Sequence, residues 1–137
     1  MKSFSLGGVI LAGLAFGAMA TMVEAVIIGK VFHRFQRQTP GTWRPGEGNR
    51  RYALSAAIQL LAGFLFACIF VATDRDPTAA RGAMFGAATW FAFQAPGVVN
   101  DSLYYNVHPG FAMGRLVSGS LTGLLAGAVC GWVLSRV

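Results

Sequence analysis

Four polar side chains, Glu24, Gln59, Gln94 and Arg115, stand inside otherwise apolar runs of this sequence. In hydrocarbon such groups are costly, so they turn inward, pair with one another, or line a path for ions and substrates. Glu24 and Arg115 carry opposite charges and are expected to pair, with the two amides supplying leftover donors and acceptors. If the helices that carry them alternate in direction, all four fall at a similar depth, roughly 5 to 10 Å inside the same end at about 1.5 Å per residue. They predict a single polar layer to which every helix contributes. The plainer alternative is an Arg115 that snorkels to the interface and a partly hydrated Glu24.

A second cluster lies in the 100–110 segment, where Asp101, Tyr104, Tyr105 and His108 interrupt the apolar pattern. With His33 and Trp43 from the same expected side, these residues form a candidate contact for a small molecule, a lipid headgroup or a metal. Two histidines without regular spacing are a poor ligand set, and bis-histidine haem needs them at facing positions inside a bundle. The simpler expectation is a turn anchored by Tyr104 and Tyr105 at the membrane interface, with no cofactor and no metal. No G-x-S-x-G, H-E-x-x-H or phosphate-binding loop occurs, so no catalytic residue is assigned and an enzyme is not expected. Cys68 and Cys130 lie in apolar runs without ligand-like spacing and read as small buried residues.

Helices that could hold such a layer must cross lipid. Hydrophobic residues make up 55% of the 137 and charged residues only 12%, about half the share of a soluble domain, and mean hydropathy is +0.56. Four apolar runs, at residues 6–29, 52–73, 82–100 and 111–134, are each close to the roughly 20 residues a membrane helix needs. The expected fold is all-α, a single domain over 1–137 forming a bundle of four transmembrane helices. Pro96 should kink or end the third helix, because proline removes a backbone donor.

Small residues tell how such helices would pack. Gly119, Gly123, Gly127 and Gly131 recur every four residues beside a second column of Ser118, Thr122, Ala126 and Cys130. Gly13 and Gly17 on the first helix, with Gly82 and Gly86 on the third, offer matching faces. Lipid tails provide no hydrophobic drive between helices, so close backbone approach over glycine is what holds them. Such faces serve packing within one bundle, and self-association or a partner as well.

The formal charge is +6. Lys30, Arg34, Arg37, Arg44, Arg50 and Arg51 crowd the first connection against Glu47 alone, whereas the 74–81 connection balances two arginines with two aspartates. This is the positive-inside pattern, with the 30–51 connection cytoplasmic and both termini outside, and not a nucleic-acid stripe. Pro40, Gly41, Pro45 and Gly46 make that connection turn-rich, and Trp43 suits the headgroup level. Lys2 and the small residues Ala18 and Ala20 imitate a cleaved signal, but the apolar run continues past them, so an uncleaved first helix is expected.

Gly82, Gly86, Trp90 and Pro96, then residues 100–103, and finally Leu124, Gly127 and Gly131 give a layout that resembles small bacterial four-helix membrane proteins classed as domains of unknown function. The likeness extends over the larger part of the chain, including the basic residues of 30–37 after the first helix. It implies a bacterial inner-membrane location and no particular activity. With almost no soluble mass, the expected role is a structural or accessory subunit in contact with lipid and with other membrane subunits or itself. The alternatives are a small oligomeric transporter or channel lined by the Glu24 layer, and a haem- or pigment-binding subunit using His33 and His108.

Overall fold

The computed structural model describes residues 4–42, 48–74 and 76–137. Among them the regular structure is helical, in four helices. Helix α1 is Leu6–Gln36 and continues past the expected end at 29 through a π-helical segment, Ile27–Phe32, into a last turn, His33–Gln36. Its start is fixed by Ser5, whose hydroxyl accepts the Gly8 N–H at 3.1 Å. Helix α2 is Asn49–Thr73. Helix α3 joins Ala79–Thr89, a π-helical Trp90–Gln94 and Ala95–Tyr104. Helix α4 is Pro109–Arg136.

Pro96 does not end α3. It cannot donate to a carbonyl in the turn below, and the ladder widens just before it: the Ala95 N–H reaches back five residues to the Trp90 carbonyl. Three helices, α1, α2 and α4, are long and apolar enough to cross a membrane. Helix α3, expected as a span over 82–100, is not among these, because Thr89, Gln94, Asn100 and Asp101 dilute its hydropathy.

Helix α1 packs along α2 on one side and α4 on the other, and α4 also packs along α3. The two long seams are glycine seams. Between α3 and α4, a Cβ at Gly82 would overlap the Gly127 carbonyl oxygen and one at Gly86 the Gly123 carbonyl oxygen, so the backbones touch. Gly131 meets the Thr78 carbonyl in the same way, while Gly119 faces the Trp90 indole. Between α1 and α2, a Cβ on Gly17 would come within 2.6 Å of the Leu60 Cα, and Gly13 lies against the backbone of Phe64. Gly63 completes this second seam from the α2 side, against Gly13 and Gly17.

The core occupies the half of the molecule away from the basic connection, where Ala12, Ala20, Ala67, Ala126 and Cys130 are completely buried with Phe70 and Leu134. Phe70 stacks on Phe85, centroids 5.3 Å apart, and Phe66 packs on the same ring, which ties α2 to α3 at this end. Outward, α2 presents Leu54, Ile58, Leu61, Leu65 and Ile69, each more than half exposed. A ridge of that kind suits lipid and not water.

Candidate functional site

The same glycines that bring α1 and α2 together also decide where they part. Contact is tightest at Gly13, Gly17 and Gly63. Toward the basic connection α1 leaves α2 and leans on α4: its π-helical segment packs there, with Phe32 over Gly114 and Phe35 over Gly110. Both glycines accept an aromatic ring where a side chain would collide. Phe35 also stacks on His108 at 4.8 Å. On the neighbouring turn, the Thr42 hydroxyl donates to the Asn106 carbonyl at 2.5 Å, linking the first and third connections.

The divergence leaves a cleft of about 880 Å³. Thr21, Glu24, Ala25, Ile28 and His33 of α1 form one wall, Arg51, Tyr52, Ser55 and Gln59 of α2 the other, and Phe111 and Arg115 of α4 the back. Thr42 and Gly48 stand at its mouth. A smaller cavity of about 130 Å³ lies on the opposite side of the α1–α4 contact, between Glu24, Trp90, Gln94, Arg115 and Ser118. Ser118 is only 3% exposed, and its hydroxyl has no hydrogen-bond partner among the described residues. Both π-helical segments therefore contribute to cavity walls, Ile28 to both and Trp90 and Gln94 to the smaller. Local π geometry concentrates at functional sites because it turns side chains out of helical register.

Glu24, Gln59, Gln94 and Arg115 line the two cavities: Gln59 the cleft, Gln94 the smaller cavity, Glu24 and Arg115 both. The expected Glu24–Arg115 pair does not form. Arg115 instead donates from Nη1 to Oδ2 of Asp101 at 2.9 Å, and Glu24 has no ion-pair partner among the described residues. Asp101 and Arg115 stand equally far either side of His108, so the α3–α4 hairpin brings them face to face. That symmetric spacing was the available signal. Both side chains are about two-fifths exposed, and screening limits their attraction to at most about 1 kcal/mol.

The remaining candidates scatter. His108 caps α4, its Nδ1 accepting the Gly110 N–H at 3.0 Å, while His33 lines the cleft and Asp101 serves Arg115. These are three separate environments. Tyr104 and Tyr105 point outward, 78% and 63% exposed. Trp43 lies outside the described residues. Sequence reasoning missed Gly63, which has no second glycine on its helix, and Gly110 and Gly114, which stand four apart but straddle the expected start of the fourth run at 111. It also missed the cleft, a product of helix divergence. No family model, curated protein or solved structure matches this chain.

Proposed function

We propose that the chain is a small integral membrane protein of the bacterial inner membrane that acts as a non-catalytic accessory subunit, holding a ligand in the cleft between α1 and α2. The observation that carries this reading is the cleft itself: about 880 Å³, within the range of small-molecule sites. The sequence carries no G-x-S-x-G, H-E-x-x-H or phosphate-binding loop, so a binding role is proposed for the cleft. All four helices are taken to span the bilayer. Helix α3 lies backbone to backbone along α4, so lipid that surrounds α4 must accommodate α3 as well.

Purification from membranes in mild detergent, followed by mass analysis of everything that accompanies the chain, tests the role. Other membrane subunits in fixed ratio are the expected result, and their absence overturns the accessory reading. A second reading, an oligomeric transporter or channel, is favoured by one feature: Glu24 faces both cavities without an ion-pair partner among the described residues. A homo-oligomer that passes ions into liposomes, with loss of flux in Glu24→Gln, supports that reading instead.

The orientation follows from charge, with the basic connection cytoplasmic and both termini outside. A cysteine at Gly48, where a side chain meets open space, should resist an impermeant thiol reagent in intact cells. One at Ser135, on the opposite end of the molecule, should react. Both are placed in a background with Cys68 and Cys130 replaced by alanine, and the reverse labelling pattern overturns this orientation.

A further inference from the structure

We propose that the cleft between α1 and α2 is a site for an anionic phospholipid, with the headgroup phosphate at the mouth beside Arg51 and His33 and an acyl chain lying between the two helices. This inference rests on the ligand-holding role above and names the ligand. Charge is the first argument. Arg51 lines the cleft, and Lys30, Arg34, Arg37 and Arg50 lie in the same ends of α1 and α2 and the turn after α1, while the carboxylates on this half, among the described residues, are Glu24 and Asp101, and Asp101 is engaged by Arg115. The opposite end balances Arg81 against Asp74 at 2.8 Å. Juxtamembrane clusters of this size attract anionic lipid, and a guanidinium adds directed hydrogen bonds to phosphate.

Shape is the second argument. Below the mouth the walls turn to Ala25, Ile28 and Ala56, and the floor closes where Gly17 meets Leu60. Three helices bound the cleft. Among the described residues helix α3 contributes nothing to its lining, and the proposal takes the side away from α4 as the one by which a chain enters from the bilayer. The volume far exceeds the needs of a free phosphate ion. Glu24 fixes the polarity of insertion: it lies about 13 Å deeper than His33 at about 1.5 Å per residue, and its carboxylate repels an anionic group that moves below the mouth.

Native mass spectrometry of the full chain, delipidated in mild detergent, tests the assignment by titration with dioleoyl-phosphatidylglycerol, dioleoyl-phosphatidylcholine, inorganic phosphate and cetyltrimethylammonium. One phosphatidylglycerol should bind per chain, with a preference over phosphatidylcholine of roughly tenfold and no competition from millimolar phosphate. Arg51→Gln should erase most of that preference. Ala56→Trp, which fills the cleft and leaves every charge in place, should abolish the bound lipid with little change in the melting temperature of the lipid-free protein.

Equal binding of the two phospholipids overturns the proposal, as does undiminished binding in Ala56→Trp, which would locate the lipid on the outer surface. Displacement of the lipid by phosphate assigns the site to a soluble anion. Preferential binding of cetyltrimethylammonium, lost in Glu24→Gln, assigns it to a lipophilic cation. Each of these outcomes removes the lipid assignment alone, whereas the accessory role stands or falls with the co-purified subunits.

Discussion

Gly127→Ala should destabilise the folded protein by about 3 kcal/mol, the upper end of what inserted core atoms cost. The new Cβ would overlap the Gly82 carbonyl oxygen and lie 3.3 Å from the Gly86 Cα. Both obstacles are backbone, so no rotamer change relieves them. Helices α3 and α4 must separate, and the contacts at Gly86, Gly123 and Gly131 loosen with them. Two controls isolate the cause. Gly97 sits on the same α3 helix, and a Cβ added there would meet nothing within 4 Å, so Gly97→Ala should be neutral or slightly stabilising through helix propensity. Leu124→Ala, at a side chain 42% exposed on α4, should change stability by no more than about 0.5 kcal/mol. Thermal unfolding in mild detergent, followed by tryptophan fluorescence, ranks the three. Equal melting of Gly127→Ala and Gly97→Ala would show that the α3–α4 seam is not close-packed.

Phe70→Ala should cost about 2 kcal/mol, below the roughly 3–5 typical of a soluble core, because lipid-exposed reference states remove much of the transfer term and leave mainly lost packing. The ring is 1% exposed. It stacks on Phe85 of α3 and tilts against Phe66, so its removal weakens the tie between α2 and α3 at the end opposite the cleft. Cys130, completely buried in the same cluster, reports the damage. In a Cys68→Ala background its alkylation in detergent should be slow, and Phe70→Ala should accelerate it several-fold. Phe70→Leu should lie between. Unchanged alkylation in Phe70→Ala would remove this ring from the elements that hold α2 in place.

The glycine faces of the seam between α3 and α4 were legible because their signal is periodic. Gly119, Gly123, Gly127 and Gly131 repeat at the helical spacing, and Gly13 with Gly17 and Gly82 with Gly86 repeat with the same step, so the faces follow from the sequence, while only the structure pairs the α4 face with Gly82 and Gly86 and sends Gly13 and Gly17 to α2. Gly63 has no such partner on its own helix, and only the approach of Gly13 and Gly17 gives it meaning. Pro96 was legible as a disturbance but not as its outcome. A missing donor can end a helix or widen one turn, and packing of α3 along α4 favours the continuous helix.

Composition and apolar run length determined that the chain forms long apolar helices, three of them fit to cross a membrane, because hydropathy and helical period are properties of consecutive residues. That Glu24, Gln59, Gln94 and Arg115 stand inside apolar runs was likewise readable, since position along a helix is a count of residues. Which of those groups meet was decided by tertiary structure. Depth says nothing about rotation around the helix axis, and the α3–α4 hairpin presents Asp101 to Arg115 at 2.9 Å while Glu24 faces the two cavities. The cleft is the same lesson at larger scale. It exists because α1 is held to α2 by glycines at one end and to α4 by Phe32 and Phe35 at the other, and the angle between two helices is a sum over both contacts that no single segment encodes.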